Sequence, residues 1–113
     1  MEKKPRFDVK YLSEVIEFLN SIDAKARYKV EYNINLSRYE MRQELFKKLN
    51  DRIWEFRTLF NGKAYRLFAF WDNDLQAMVV ATHGIIKKTQ KTHSKDIEKS
   101  ERLKELYFEQ KNQ

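Results

Sequence analysis

Two hydrophobic periods follow one another along the chain, and the change between them falls at Ile53. Before it, Leu12, Val15, Ile16, Leu19 and Ile22 recur at helical spacing, with Glu14 and Glu17 in the first turns, where the helix dipole favours negative charge. This predicts an amphipathic helix with one buried stripe. Asp23 is placed to cap a second helix in which Ala26, Val30 and Ile34 share a face. Ser37 with Glu40 matches the S-x-x-E capping pattern for a third, continued by Met41, Leu45 and Leu49. The segment Pro5 to Lys10 is compatible with an edge strand. From Ile53 to Phe60 most residues are aromatic or β-branched, Asn61-Gly62 is a strong hairpin signal, and Ala64 to Trp71 supplies the returning strand. Asp72-Asn73-Asp74 then turns the chain into Gln76 to Ile86, which completes a three-stranded antiparallel meander. Both faces of that meander are apolar. One is expected to carry the helices, and the other to be covered by another element or left partly open as a groove. A polar helix with Ile97, Leu103 and Tyr107 on one side runs to about Glu109, with Glu98 and Arg102 in the favourable i, i+4 order. The expected fold is α+β: N-terminal helices packed on a small antiparallel sheet, a possible edge strand, and a C-terminal helix.

The hairpin fixes a register, and the register arranges charge. A two-residue Asn61-Gly62 loop pairs Phe60 with Lys63, Leu59 with Ala64, Thr58 with Tyr65 and Arg57 with Arg66. Like charges directly opposite destabilise a sheet by some tenths of a kcal/mol, so an anion is expected between the arginines. Glu55, two residues from Arg57 on the same face, is the internal candidate. A ligand phosphate, which suits two guanidinium forks, is the external one. If the next turn pairs Asp72 with Leu75, Arg66 faces Ala81 and His83 follows on the same face; an odd-length loop sends His83 to the other side. In the first register Arg57, Arg66 and His83 converge where the strand runs into Lys87 and Lys88. Each feature has an ordinary structural alternative: a histidine at a strand end usually packs or hydrogen-bonds, and a lysine run is usually a solvated loop. His93 reads as exposed and incidental. Trp54, Phe56, Phe68, Phe70 and Trp71 read as core.

Composition narrows the chemistry. At 113 residues, with no repeat or low-complexity stretch and one proline, the chain reads as a single domain over residues 1–113. Its two glycines, Gly62 and Gly84, are too far apart for the dinucleotide fingerprint or the Walker loop. The absence of cysteine, with two histidines, excludes a thiolate nucleophile, a disulfide frame and a zinc finger. Chemistry therefore falls to Arg, Lys, His, Tyr and carboxylates, and neither cofactor nor metal is expected. A net charge of +6 and a pI near 9.5 favour a polyanionic partner, because each neutralised phosphate releases counterions. No apolar stretch approaches the roughly 18 residues of a membrane span, and no apolar signal core follows Met-Glu-Lys-Lys-Pro, so a cytoplasmic location is expected.

Three blocks, Ile53-Trp54-Glu55-Phe56-Arg57, Ala64-Tyr65-Arg66-Leu67-Phe68-Ala69-Phe70 and His83-Gly84-Ile85-Ile86-Lys87-Lys88-Thr89-Gln90-Lys91-Thr92, resemble the phage-derived HigB-like branch of the RelE/ParE toxin superfamily. The likeness covers about residues 40 to 110, and the His-x-x-x-Lys-Lys-Thr-x-Lys-Thr run is its most specific part. It implies the toxin of a type II toxin–antitoxin pair: a metal-independent endoribonuclease that cleaves mRNA, commonly on the translating ribosome. Its silencing partner would be a cognate antitoxin, often with a helix-turn-helix DNA-binding domain. Two departures stand out: a phenylalanine is usual where Ile85 or Ile86 stands, and a proline is usual where the chain has His93. Cleavage without metal is in-line attack of the ribose 2′-OH on the adjacent phosphate, which needs a base, an acid and positive charge for the phosphorane. The implied assignment gives Arg57 and Arg66 the phosphate. Lys87 and Lys88 take backbone positioning or 2′-oxyanion stabilisation, and His83 proton transfer. Lys63, Lys91 and Lys95 are candidate RNA contacts, with Glu55 as the site's structural partner. The rival readings are a ParE-like gyrase poison, a non-catalytic RNA- or ribosome-binding module, and a relic toxin.

Overall fold

The computed structural model describes residues 3–75, 77–88 and 94–113. Its elements run β1 (Asp8–Tyr11), α1 (Ser13–Ser21), α2 (Ala24–Ser37), β2 (Phe46–Lys48), β3 (Trp54–Phe60), β4 (Lys63–Asp72), β5 (Met78–Lys87) and α3 (Ser94–Lys111). The architecture is α+β as expected, but the sheet is larger than a meander. Five strands lie in the order β1-β5-β4-β3-β2, with β1 parallel to β5 and the remaining pairs antiparallel. The segment compatible with an edge strand is thus a parallel one, paired Val9 to Val79.

The expected third helix is not formed. Ser37 closes α2 instead of starting a new helix: its hydroxyl donates to the Ile34 carbonyl at 2.6 Å. The chain then turns, leaving Met41 84% exposed, and Phe46 enters the sheet as β2. Packing explains the change. The Phe46 ring stacks on Phe56 at 4.4 Å and on Trp54 at 4.8 Å, and meets Phe7 at 5.2 Å. An isolated helix there would forfeit that aromatic cluster, and helices depend on packing more than on propensity. The i, i+4 spacing of Met41, Leu45 and Leu49 is therefore not a helical signal.

Two apolar layers sandwich the sheet. On one face Val15, Leu19, Ala26, Val30 and Ile34 of α1 and α2 bury against Phe56, Tyr65, Leu67, Ala69, Val79 and Ala81. Asp23 caps α2, accepting from the Ala26 amide at 3.2 Å. On the other face Ile53, Phe68, Phe70 and Val80 are covered by Ile97, Tyr107 and Phe108 of α3. The helix α3 is fixed at both ends. Near its C-terminus Tyr107 and Lys111 donate to the buried Asp72 carboxylate, each at 2.7 Å. Near its N-terminus Ser100 and Asp96 meet Thr82 and His83. Among the described residues α3 covers only part of this face and leaves the end of the sheet nearest the β3–β4 turn open.

Candidate functional site

The turn that bounds the open end has the geometry its sequence requires. Asn61 and Gly62 take φ values of 53° and 77°, the left-handed pair of a type I′ hairpin, and β3 pairs with β4 in the register that this loop dictates. Arg57 is therefore directly opposite Arg66. On the next strand Asp72 pairs with Met78, not Leu75, a shift of three, and a bulge between Phe68 and Ala69 adds one more: Arg66 faces Ile85, not Ala81, and Phe68 faces His83. The bulge places the extra residue at Thr82, whose hydroxyl is drawn to the Phe68 carbonyl and Ser100. The small residue beside the arginines is Ala64, paired with Lys87, and the sequence did not single it out.

Arg57, Leu59, Gly62, Ala64, Arg66, Lys87 and Lys88 line a cavity of about 330 Å³ at this open end. It gathers four cations, one each from β3, β4 and β5 and Lys88 just after β5. Glu55 is the counter-charge within reach: its Oε1 lies 3.4 Å from Arg57 Nε and 3.5 Å from Arg66 Nε. Neither approach is aligned as a hydrogen bond. Among the described residues the buried Nε–H groups of both arginines find no acceptor, an arrangement that ordinarily costs about 1–3 kcal/mol per group. Arg66 is 8% exposed and donates from Nη1 to the Tyr65 carbonyl at 3.1 Å. Burial pulls its pKa below the ordinary arginine value; Glu55 opposes that and Arg57 adds to it. One carboxylate shared by two guanidiniums, with unused donors on both, is suited to a second, external anion.

His83 sits apart from this cavity. It is 3% exposed, stacked on Phe68 at 4.9 Å, with Nε2 3.2 Å from Asp96 and Nδ1 3.0 Å from Thr82 Oγ1. Burial depresses its pKa, against the raising effect of Asp96, which favours the neutral ring. The expected convergence of His83 with the arginines is thus corrected: it shares their face of the sheet but lies beneath the start of α3. The lysines divide as well. Lys87 and Lys88 line the cavity, Lys63 falls by register on the α1/α2 face with Tyr65, and Lys95 is exposed in the first turn of α3. Lys91 and His93 lie outside the described residues. A larger cleft of about 590 Å³ between Arg52 and α3 mixes both signs of charge, with Glu101, Glu105 and Glu109 against Arg52 and Lys104, and concentrates no field. Among the described residues no three His, Cys, Asp or Glu cluster as metal ligands, and no helix is long and apolar enough to cross a membrane.

Residues 17–105 match the family model described as Phage derived protein Gp49-like (DUF891). The chain belongs to this family. The Gp49-like family is phage-derived and toxin-like, related to RelE and ParE, and the matched span contains every residue of the arginine cavity. It also reaches back through α2 into α1, where the sequence motifs carried only a generic likeness. No curated protein matches the chain.

Proposed function

We propose that this Gp49-like protein is the toxin of a type II toxin–antitoxin pair, of the HigB-like kind, and acts as a metal-independent endoribonuclease on mRNA at the ribosome until a cognate antitoxin covers the site. The observation that carries this reading is the Arg57–Arg66 pair: two guanidiniums held face to face over one carboxylate, with buried donors unused, in a cavity completed by Lys87 and Lys88. Such a pair is poorly explained by folding, since like charges opposite each other weaken a sheet. It is well explained by a phosphate.

In this reading the scissile phosphate sits between the two arginines, which are preorganised for the charge that develops on the phosphorane. Lys87, which ends the adjoining strand, and Lys88 after it draw the ribose 2′-oxygen into line and lower the cost of its deprotonation; as the 2′-O–P bond forms and the P–O5′ bond breaks, water takes the 2′-proton and a lysine ammonium supplies one to the leaving 5′-oxygen. His83 is assigned the support of α3: as a neutral, buried ring bonded on both sides it holds Thr82 and Asp96 in place and does not reach the phosphate. The antitoxin is expected to bring acidic or backbone-carbonyl groups to the same open end.

The test is to induce the wild-type chain and the Arg57→Ala, Arg66→Ala double variant in a bacterial host, then map new mRNA 5′ ends within minutes. Cuts inside translated frames for the wild type alone are expected. Growth arrest without cuts would move the protein to the gyrase-poison reading, and the absence of both would leave a binding module or a relic. An Arg66→Lys variant that melts like the wild type yet cuts slowly would tie the loss to the planar guanidinium fork.

A further inference from the structure

The outer face of α2 carries two exposed tyrosines. Tyr28 and Tyr32 are 72% and 52% exposed, one helical turn apart, with rings inclined by 26° and centroids 6.5 Å apart. Lys29 Nζ stands 5.3 Å from the Tyr32 ring centre. Beside them Lys25, Tyr28, Lys29 and Phe60 wall an apolar cavity of about 480 Å³ between α2 and the end of β3. Lys63, paired with Phe60, falls by register on this same face. The one acidic residue of α2, Glu31, is tied to Arg27 at 2.9 Å. The patch is therefore aromatic and cationic at once.

We propose that the Tyr28–Tyr32 face of α2, with Lys25, Lys29, Phe60 and Lys63, is a second contact for single-stranded RNA, on which bases stack after the strand passes the hairpin tip from the arginine cavity. The inference rests on the RNA reading of that cavity and extends its footprint. Exposed aromatic rings with interleaved cations are how single strands are held without sequence readout. A protein partner fits less well, because lysine is depleted from protein interfaces while tyrosine is common to both. Placement supports the path. Leu59 and Gly62 line the arginine cavity and Phe60 the tyrosine cavity, so only the thickness of the tip separates them, with consecutive Cα atoms about 3.8 Å apart.

Fluorescence anisotropy of the full chain with a labelled 12-nucleotide 2′-O-methyl RNA, which has no free 2′-OH to attack, separates binding from cleavage. Tyr28→Ala with Tyr32→Ala is expected to weaken binding at least tenfold, and Tyr28→Phe with Tyr32→Phe to restore it, since the phenyl faces still stack. Lys25→Ala with Lys29→Ala is expected to lower the slope of log affinity against log salt by about 1.4, at roughly 0.7 per phosphate contact on a single strand. All three pairs lie on the surface and should melt as the wild type does. If the double alanine variant binds as tightly as the wild type while Arg57→Ala with Arg66→Ala does not, the inference is overturned and the RNA reading stands, with the tyrosine face left to a protein partner. If the wild type does not bind this RNA at all, both fall together.

Discussion

Replacing Arg66 with methionine should make the protein more stable and, on the proposed reading, abolish RNA cleavage. The Met side chain keeps most of the aliphatic stem but removes the charge opposite Arg57, which is worth about 0.2–1 kcal/mol in a sheet. It also removes a buried Nε–H with no acceptor, worth about 1–3 kcal/mol. Against this stand the Nη1–H bond to the Tyr65 carbonyl, about 0.5–1.5 kcal/mol, and a poorly aligned ion pair with Glu55 at 3.5 Å. Removing one partner of a buried ion pair is usually costly because a lone charge remains. Here Glu55 keeps Arg57 at 3.4 Å, so the pair left behind is balanced. The net is a gain of about 1 kcal/mol. For 113 residues the unfolding entropy is about 0.24 kcal/mol/K, so the melting temperature should rise by about 4 °C. Circular dichroism melts in dilute buffer and again with millimolar inorganic phosphate would decide it. Phosphate should raise the wild-type midpoint and leave that of Arg66→Met unmoved, because only a competent site links ligand to stability. A fall of about 4 °C or more for Arg66→Met would show that the arginine pair serves the fold, and the argument for an external anion would fail.

Three further outcomes follow from the packing and the titrating groups. A Cβ on Gly84 would run into the Phe18 ring, so Gly84→Ala should cost about 1–3 kcal/mol in urea unfolding, and Phe18→Leu in the same chain should recover part of it; simple additivity would contradict the contact. The lowered pKa of His83 means that the unfolded chain takes up its proton first. Stability is then full above about pH 6.5 and lost as pH falls below it, at up to about 1.4 kcal/mol per pH unit, and His83→Gln should flatten that limb of the curve. Tyr107, whose pKa is pushed up to about 12 by burial and by the neighbouring Asp72 carboxylate, donates to that carboxylate; Tyr107→Phe should cost about 1.5 kcal/mol and speed amide exchange in the last turns of α3.

Whatever depends on neighbours along the chain is legible in the residues alone. Asn61-Gly62 favours a type I′ turn through its own backbone preferences, and a two-residue loop admits one register, so the opposition of Arg57 and Arg66 is written into the local sequence. The helical stripes of α1 and α2 and the Asp23 cap are legible for the same reason. Contacts between residues distant in sequence settle the rest. Phe46 joins the sheet because rings at positions 7, 54 and 56 await it, which overrides an i, i+4 pattern and a capping pair. Asp8–Tyr11 becomes a strand only because β5 arrives about 70 residues later to pair with it in parallel, and so short a segment carries too little period to announce that. The pairing of Asp72 with Met78 and a bulge at Thr82 together set which residues of β5 face Arg66. The bulge turns His83 onto the arginines' face, opposite Phe68, in a polar seat under α3 where Thr82, Ser100 and Asp96 meet. Local turn chemistry thus makes the charge pair, and long-range packing leaves it at the open end of the sheet.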